Sequence, residues 1–111
     1  MTIEDVKNTI DAEVVCGEDL DKKETGLFYA TDLMSSVLAQ EDEISVLITG
    51  LGNAQVIRTA EMLDMTAVVI VRGVKPADEM IEAAKNSGIV VLCTEKSMFK
   101  TCGLLYAADN K

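Results

Sequence analysis

The sequence predicts an α/β fold, a small mainly parallel sheet with helices on both faces. Near-continuous apolar runs of strand length at 45–49, 67–71 and 89–93 are one observation behind this, since strands buried on both faces lose the polar alternation of a half-exposed sheet. The other is that segments of helical period lie between and after them, so strand and helix alternate along the second half of the chain. Crossovers of that kind join parallel neighbours and are right-handed by default.

Thr2 is placed to cap a first helix, with Asp5 three residues on and Ile3, Val6 and Ile10 on one face. Residues 13–16 read as a strand ended by Gly17, and the charged, aperiodic stretch 18–25 as a solvated loop. A second strand follows at 26–30. Thr31 or Asp32 is then expected to cap a helix with Leu33, Met34, Val37 and Leu38 as its apolar stripe. Strand 45–49 leads through a glycine turn to helix 54–64, which turns Val56, Ile57, Ala60 and Leu63 inward. After strand 67–71, Pro76 suits the first turn of a helix, Asp78 and Glu79 complement its positive end, and Gly88 stops it. Ala77, Met80, Ile81 and Ala84 give that helix its buried side. The last strand, 89–93, precedes a helix capped by Ser97 and expected to bury Met98, Phe99, Cys102, Leu105 and Tyr106, with 109–111 frayed. No linker divides the chain, so residues 1–111 are expected to form a single domain.

The totals exclude more than they assign. A net charge of −9 and only two arginines argue against nucleic acid or an anionic membrane as partner. The absence of histidine removes the commonest general base and the commonest metal ligand. Cys16, Cys93 and Cys102 are too widely spaced for a zinc or iron–sulfur site and read as buried thiols of a cytosolic, reducing compartment. The acidic runs 18–21 and 41–43 lack the spacing and fixed glycine of a calcium loop. No signal peptide or membrane span is visible, and no cofactor is called for.

In open α/β sheets ligands settle beyond the carboxyl ends of the strands. That rule selects three turns: Thr49-Gly-Leu-Gly-Asn53, Arg72-Gly-Val74 and Thr94-Glu-Lys-Ser97. Gly50 and Gly52 let backbone N–H groups approach a phosphate or carboxylate, with Asn53 capping the helix behind them and Gln55 where a third fingerprint glycine would stand. Arg72 and Gly73 add a cationic turn, Thr94 and Ser97 add hydroxyls, and Glu95 is the one acid in the set. A purely structural turn is weighed slightly above a phosphate cradle. Asp32 with Ser35 and Ser36 forms another polar group, read as a helix cap beside two solvated serines. Ser97 and Lys100 match Ser-x-x-Lys in spacing only, without the companion motifs of a serine acyltransferase.

With the stretches 32–37, 49–55 and 90–94 quoted, the chain from about Glu13 onward resembles the DRTGG domain family. The resemblance implies a fold like the N-terminal domain of HPr kinase/phosphorylase and like accessory domains of phosphotransacetylases and regulated pyrophosphatases. It implies a non-catalytic regulatory module, dimeric in its family, with stand-alone members found near iron-only hydrogenase genes. The name-giving motif is degenerate here: Gly50-Leu51-Gly52 stands in place of Gly-Asp-Arg, and Arg72-Gly73-Val74 in place of Thr-Gly-Gly.

The expected function is therefore a regulatory or ligand-sensing module, a homodimer, taking a small anion or nucleotide at its strand-end turns and docking a protein of hydrogenase or phosphotransfer metabolism. A small phosphoryl- or acyl-transfer enzyme and a ligand-free adaptor are the competing readings. The proposed pocket depends on the three turns sharing one rim of the sheet; without that, only a scaffold for contacting other proteins is left.

Overall fold

The structure, a computed structural model, describes residues 1–110. The elements run α1 (Ile3–Thr9), β1 (Glu13–Cys16), a 3₁₀ turn (Leu20–Lys22), β2 (Leu27–Ala30), α2 (Met34–Leu38), β3 (Ile44–Thr49), α3 (Ala54–Met62), β4 (Ala67–Ile70), α4 (Asp78–Ser87), β5 (Val90–Cys93) and α5 (Met98–Asp109). They form one five-stranded sheet in the order β1-β5-β4-β3-β2. β2 to β5 are mutually parallel, and β1 runs antiparallel along the edge of β5.

Alternation along the strands sorts the core into two layers. Leu47, Val68, Ile70 and Val91 face α2, α3 and α4, and pack on Val37, Val56, Ile57, Ala60, Met80 and Ala84. Val46, Ile48, Ala67, Val69, Val90 and Leu92 point the other way, onto Ile3 and Val6 of α1, Ile10 just after it, and Leu105 of α5. Consecutive crossovers of one hand put α2, α3 and α4 on the same side. Only α1 and α5 are left for the other face, and between α5 and β2 it keeps a groove of about 390 Å³ lined by Phe28, Ile48, Leu105 and Tyr106.

The helix ends follow the sequence at several points. Thr2 and Asp5 form a complete capping box on α1, Asn53 and Ser97 cap α3 and α5, and Gly88 ends α4 at φ 71°. Other expectations are corrected. Neither Thr31 nor Asp32 caps α2, which starts from Leu33 with no side-chain cap. Of the stripe expected there, Met34 and Val37 are buried while Leu33 and Leu38 are exposed, because a five-residue helix presents a single turn to the sheet. Phe99 is 90 % exposed and Tyr106 is 74 % exposed, against the expectation that α5 buries them. That helix is apolar nearly all round, and with one neighbour on its own layer only the Thr101–Leu105 side reaches the sheet. Pro76 precedes α4 instead of opening it. Leu20 is buried inside the stretch read as a solvated loop. α5 stays helical through Asp109, and the fraying expected of Lys111 lies outside the described residues.

Candidate functional site

Because β3, β4 and β5 are parallel neighbours, the turns that follow them open on the same rim. Hydrogen bonds tie each turn to the next. The Ala77 N–H donates to Gly52 O at 2.8 Å, joining the β3 and β4 turns. Arg72 N–H donates to Lys96 O at 2.8 Å and Gly73 N–H to Thr94 O at 3.0 Å, joining the β4 and β5 turns. The chain enters β1 at this rim too, since that strand is antiparallel and Glu13 pairs with Cys93.

Asp32, which the sequence places as a mere helix cap, sits on this rim, at its β2–β3 end. The Thr31 hydroxyl accepts from Leu33 N–H at 3.0 Å, and this tight turn after β2 throws Asp32 over the end of β3. Its Oδ1 accepts from Gly50 N–H at 2.6 Å and from the Thr49 hydroxyl at 3.1 Å, and its Oδ2 meets Arg72 Nη2 at 3.3 Å. The Gly50 N–H, then the Thr49 hydroxyl and Arg72, hold the Asp32 carboxyl below the usual carboxylate range, against an opposing effect of burial. The one available signal was position, just past a strand parallel to β3. Ser36, expected to face water, instead bonds the Tyr29 hydroxyl at 2.6 Å.

Arg72 carries a positive φ of 62°. The other non-glycine residues with positive φ, among those described, are Asp11, Asp19 and Asp64, whose short polar side chains tolerate it. An arginine gains no such local relief, and the conformation costs about 1–2 kcal/mol. It is held there by the Lys96 hydrogen bond, and its guanidinium lies against Gly50, where an added Cβ would collide with it.

The remaining expected residues divide by surroundings. Gly52 is a close backbone approach: a Cβ there would come within 2.9 Å of Lys75 O and 3.2 Å of Pro76 Cα. The Asn53 side chain accepts from Val56 N–H, and the Ser97 hydroxyl accepts from Lys100 N–H at 3.1 Å, so Ser97 and Lys100 stand together as a cap. Gln55 is exposed on α3. Thr94 is buried, and its hydroxyl donates to Ile10 O at 2.8 Å. Glu95 lies over Gly73, and both line a cavity of about 550 Å³ with Asp11, Glu13, Lys75 and Cys93. Burial above all, then the charge of Glu13, pushes the Cys93 thiol up to about 11, so it stays protonated and unreactive near neutrality. No cluster able to hold a metal ion exists among the described residues, nor a helix long and apolar enough to cross a membrane.

Comparison with known proteins decides the family. The profile of the DRTGG domain matches residues 5–108. The chain belongs to the DRTGG domain family. The DRTGG chain is similar to a crystal structure of the CBS and DRTGG domains from the regulatory region of Clostridium perfringens pyrophosphatase, complexed with its activator, diadenosine tetraphosphate. The TM-score is 0.78 at 22 % sequence identity, a likeness of fold. It covers 93 % of the DRTGG chain but 45 % of the pyrophosphatase region, so this chain spans less than half of that relative. No curated protein matches the chain.

Proposed function

We propose that this DRTGG domain is a non-catalytic regulatory module that senses a small anion or nucleotide at its strand-end rim. The observation that carries this is the donor set at the end of β3: Gly50 N–H, the Thr49 hydroxyl and the Arg72 guanidinium converge on one carboxylate-sized position. Such donors recur where proteins hold phosphate. The fold relative adds support, being the regulatory region of a pyrophosphatase with a nucleotide activator. An enzyme has less to work with, since the chain has no histidine and its rim thiol is held protonated.

Signalling would run through self-association or docking to a protein of hydrogenase or phosphotransfer metabolism. Among the described residues no strand pairs with the outer edge of β2, which borders the groove beside α5 and suits a homodimer. A dimer mass by light scattering at tens of micromolar supports that, and a monomer mass removes it. Three free cysteines fit a cytosolic setting, and residues 1–111 acting as one domain fit the single shared sheet.

A ligand-free adaptor is the second reading, favoured by the fact that Asp32 already answers the donors. Thermal shift with AMP, ATP, NADPH, phosphate, acetyl phosphate and diadenosine tetraphosphate separates the two. A ligand of the folded state raises the melting point by mass action. A rise with a phosphate-bearing compound supports sensing, whereas no rise with any of them leaves the adaptor.

A further inference from the structure

We propose that Asp32 is the resident occupant of an anion site, and that a multiply charged phosphate ligand binds by displacing it. This rests on the sensing function just proposed and adds who holds the site when no ligand does.

The geometry of Asp32 is that of a bound oxyanion. One oxygen accepts both a backbone N–H, at 2.6 Å, and a hydroxyl, at 3.1 Å, while the other faces the guanidinium at 3.3 Å. Phosphate oxygens seek the same three kinds of donor. Asp32 has no second structural role, since it caps no helix and α2 begins beyond it from Leu33. Its side chain is 44 % exposed and that of Arg72 is 46 % exposed, so the pair can part without opening the core.

Nothing else fits while Asp32 stays. The guanidinium already lies against Gly50, and the Gly50 N–H offers one proton, which the carboxylate takes. A second anion beside Asp32 would meet its charge at close range. A tethered carboxylate also competes at high local concentration. Acetate therefore loses to it, whereas pyrophosphate or the polyphosphate of a nucleotide brings more charge and more oxygens to Arg72, Thr49 and Gly50.

The test is titration of the full chain with sodium pyrophosphate, by calorimetry and by the amide resonance of Gly50. Asp32→Asn removes the competing charge, and is expected to bind pyrophosphate at least tenfold more tightly than the wild type, moving the Gly50 amide. Asp32→Glu keeps a carboxylate and is expected to gain less than Asp32→Asn. Adding Arg72→Gln to Asp32→Asn is expected to abolish the gain. If the wild type binds at Gly50 and Asp32→Asn binds no more tightly, the occupant idea is overturned while the sensing site survives. If pyrophosphate moves the Gly50 amide in neither folded protein, as judged by retained amide dispersion, both the occupant and the anion site are wrong.

Discussion

The rim divides at Arg72 into two unlike halves. On the β2–β3 side the donors of the turn are answered from within the chain, by one carboxylate with three partners. On the β5–β1 side Asp11, Glu13 and Glu95 border a cavity of about 550 Å³, and among the described residues none of them forms an ion pair. The first half is internally neutralised, whereas the second gathers three carboxylates and the single cation Lys75 with no ion pair among them. Acidic residues on one rim therefore do different things: Asp32 holds the turn in place, whereas the acids across Arg72 form no ion pair among the described residues.

The sharpest contrast lies inside the neutralised half. Gly52→Ala presses a methyl group on the Lys75 backbone and is expected to cost about 2 kcal/mol in urea denaturation. Gly50→Ala meets only the flexible tip of Arg72 and is expected to cost less than half of that. Equal costs would mean that the turn is held by something other than this backbone contact.

Next in size is the pH dependence. Asp32 has a folded-state pKa below its unfolded value, so its contribution is complete above the unfolded carboxylate range and lost as pH falls through the folded value. Comparing urea midpoints at pH 7 and pH 3, Asp32→Asn is expected to lose less stability on acidification than the wild type. An unchanged difference would show that Asp32 is not held as described.

The ion pair itself is a smaller effect. A double-mutant cycle between Asp32→Ala and Arg72→Ala is expected to give a coupling under about 1 kcal/mol, since both side chains are nearly half exposed. Smallest of all is the other half of the rim. Glu95→Gln is expected to change stability by less than about 0.5 kcal/mol, in the stabilising direction, because it removes one of several like charges. A clear loss would reveal a partner for Glu95 and erase the distinction between the halves.

Much of the fold was legible because buried parallel strands and capped helices leave local marks. The runs at 67–71 and 89–93, the Thr2–Asp5 box, Asn53, Ser97 and Gly88 each do in the structure what their chemistry suggests. The shared rim followed from strand adjacency. Asp32 was misread because Asp-Leu-Met-Ser is an ordinary helix opening, and nothing local says that its partners lie 17, 18 and 40 residues away. Phe99 and Tyr106 were misplaced for a different reason. Where apolar residues surround a helix, periodicity gives no direction, and the packing partner alone decides which side is covered. The antiparallel placement of β1 was likewise hidden, since a four-residue strand carries no mark of its neighbour.

Arg72 reaches in two directions at once. Its side chain grips Asp32, while its peptide N–H holds Lys96, the residue just before the Ser97 cap of α5. That helix carries the two most exposed aromatic rings in the chain, Phe99 and Tyr106, out into solvent. A single arginine thus ties the turn after β3 to the root of the helix that bears those rings.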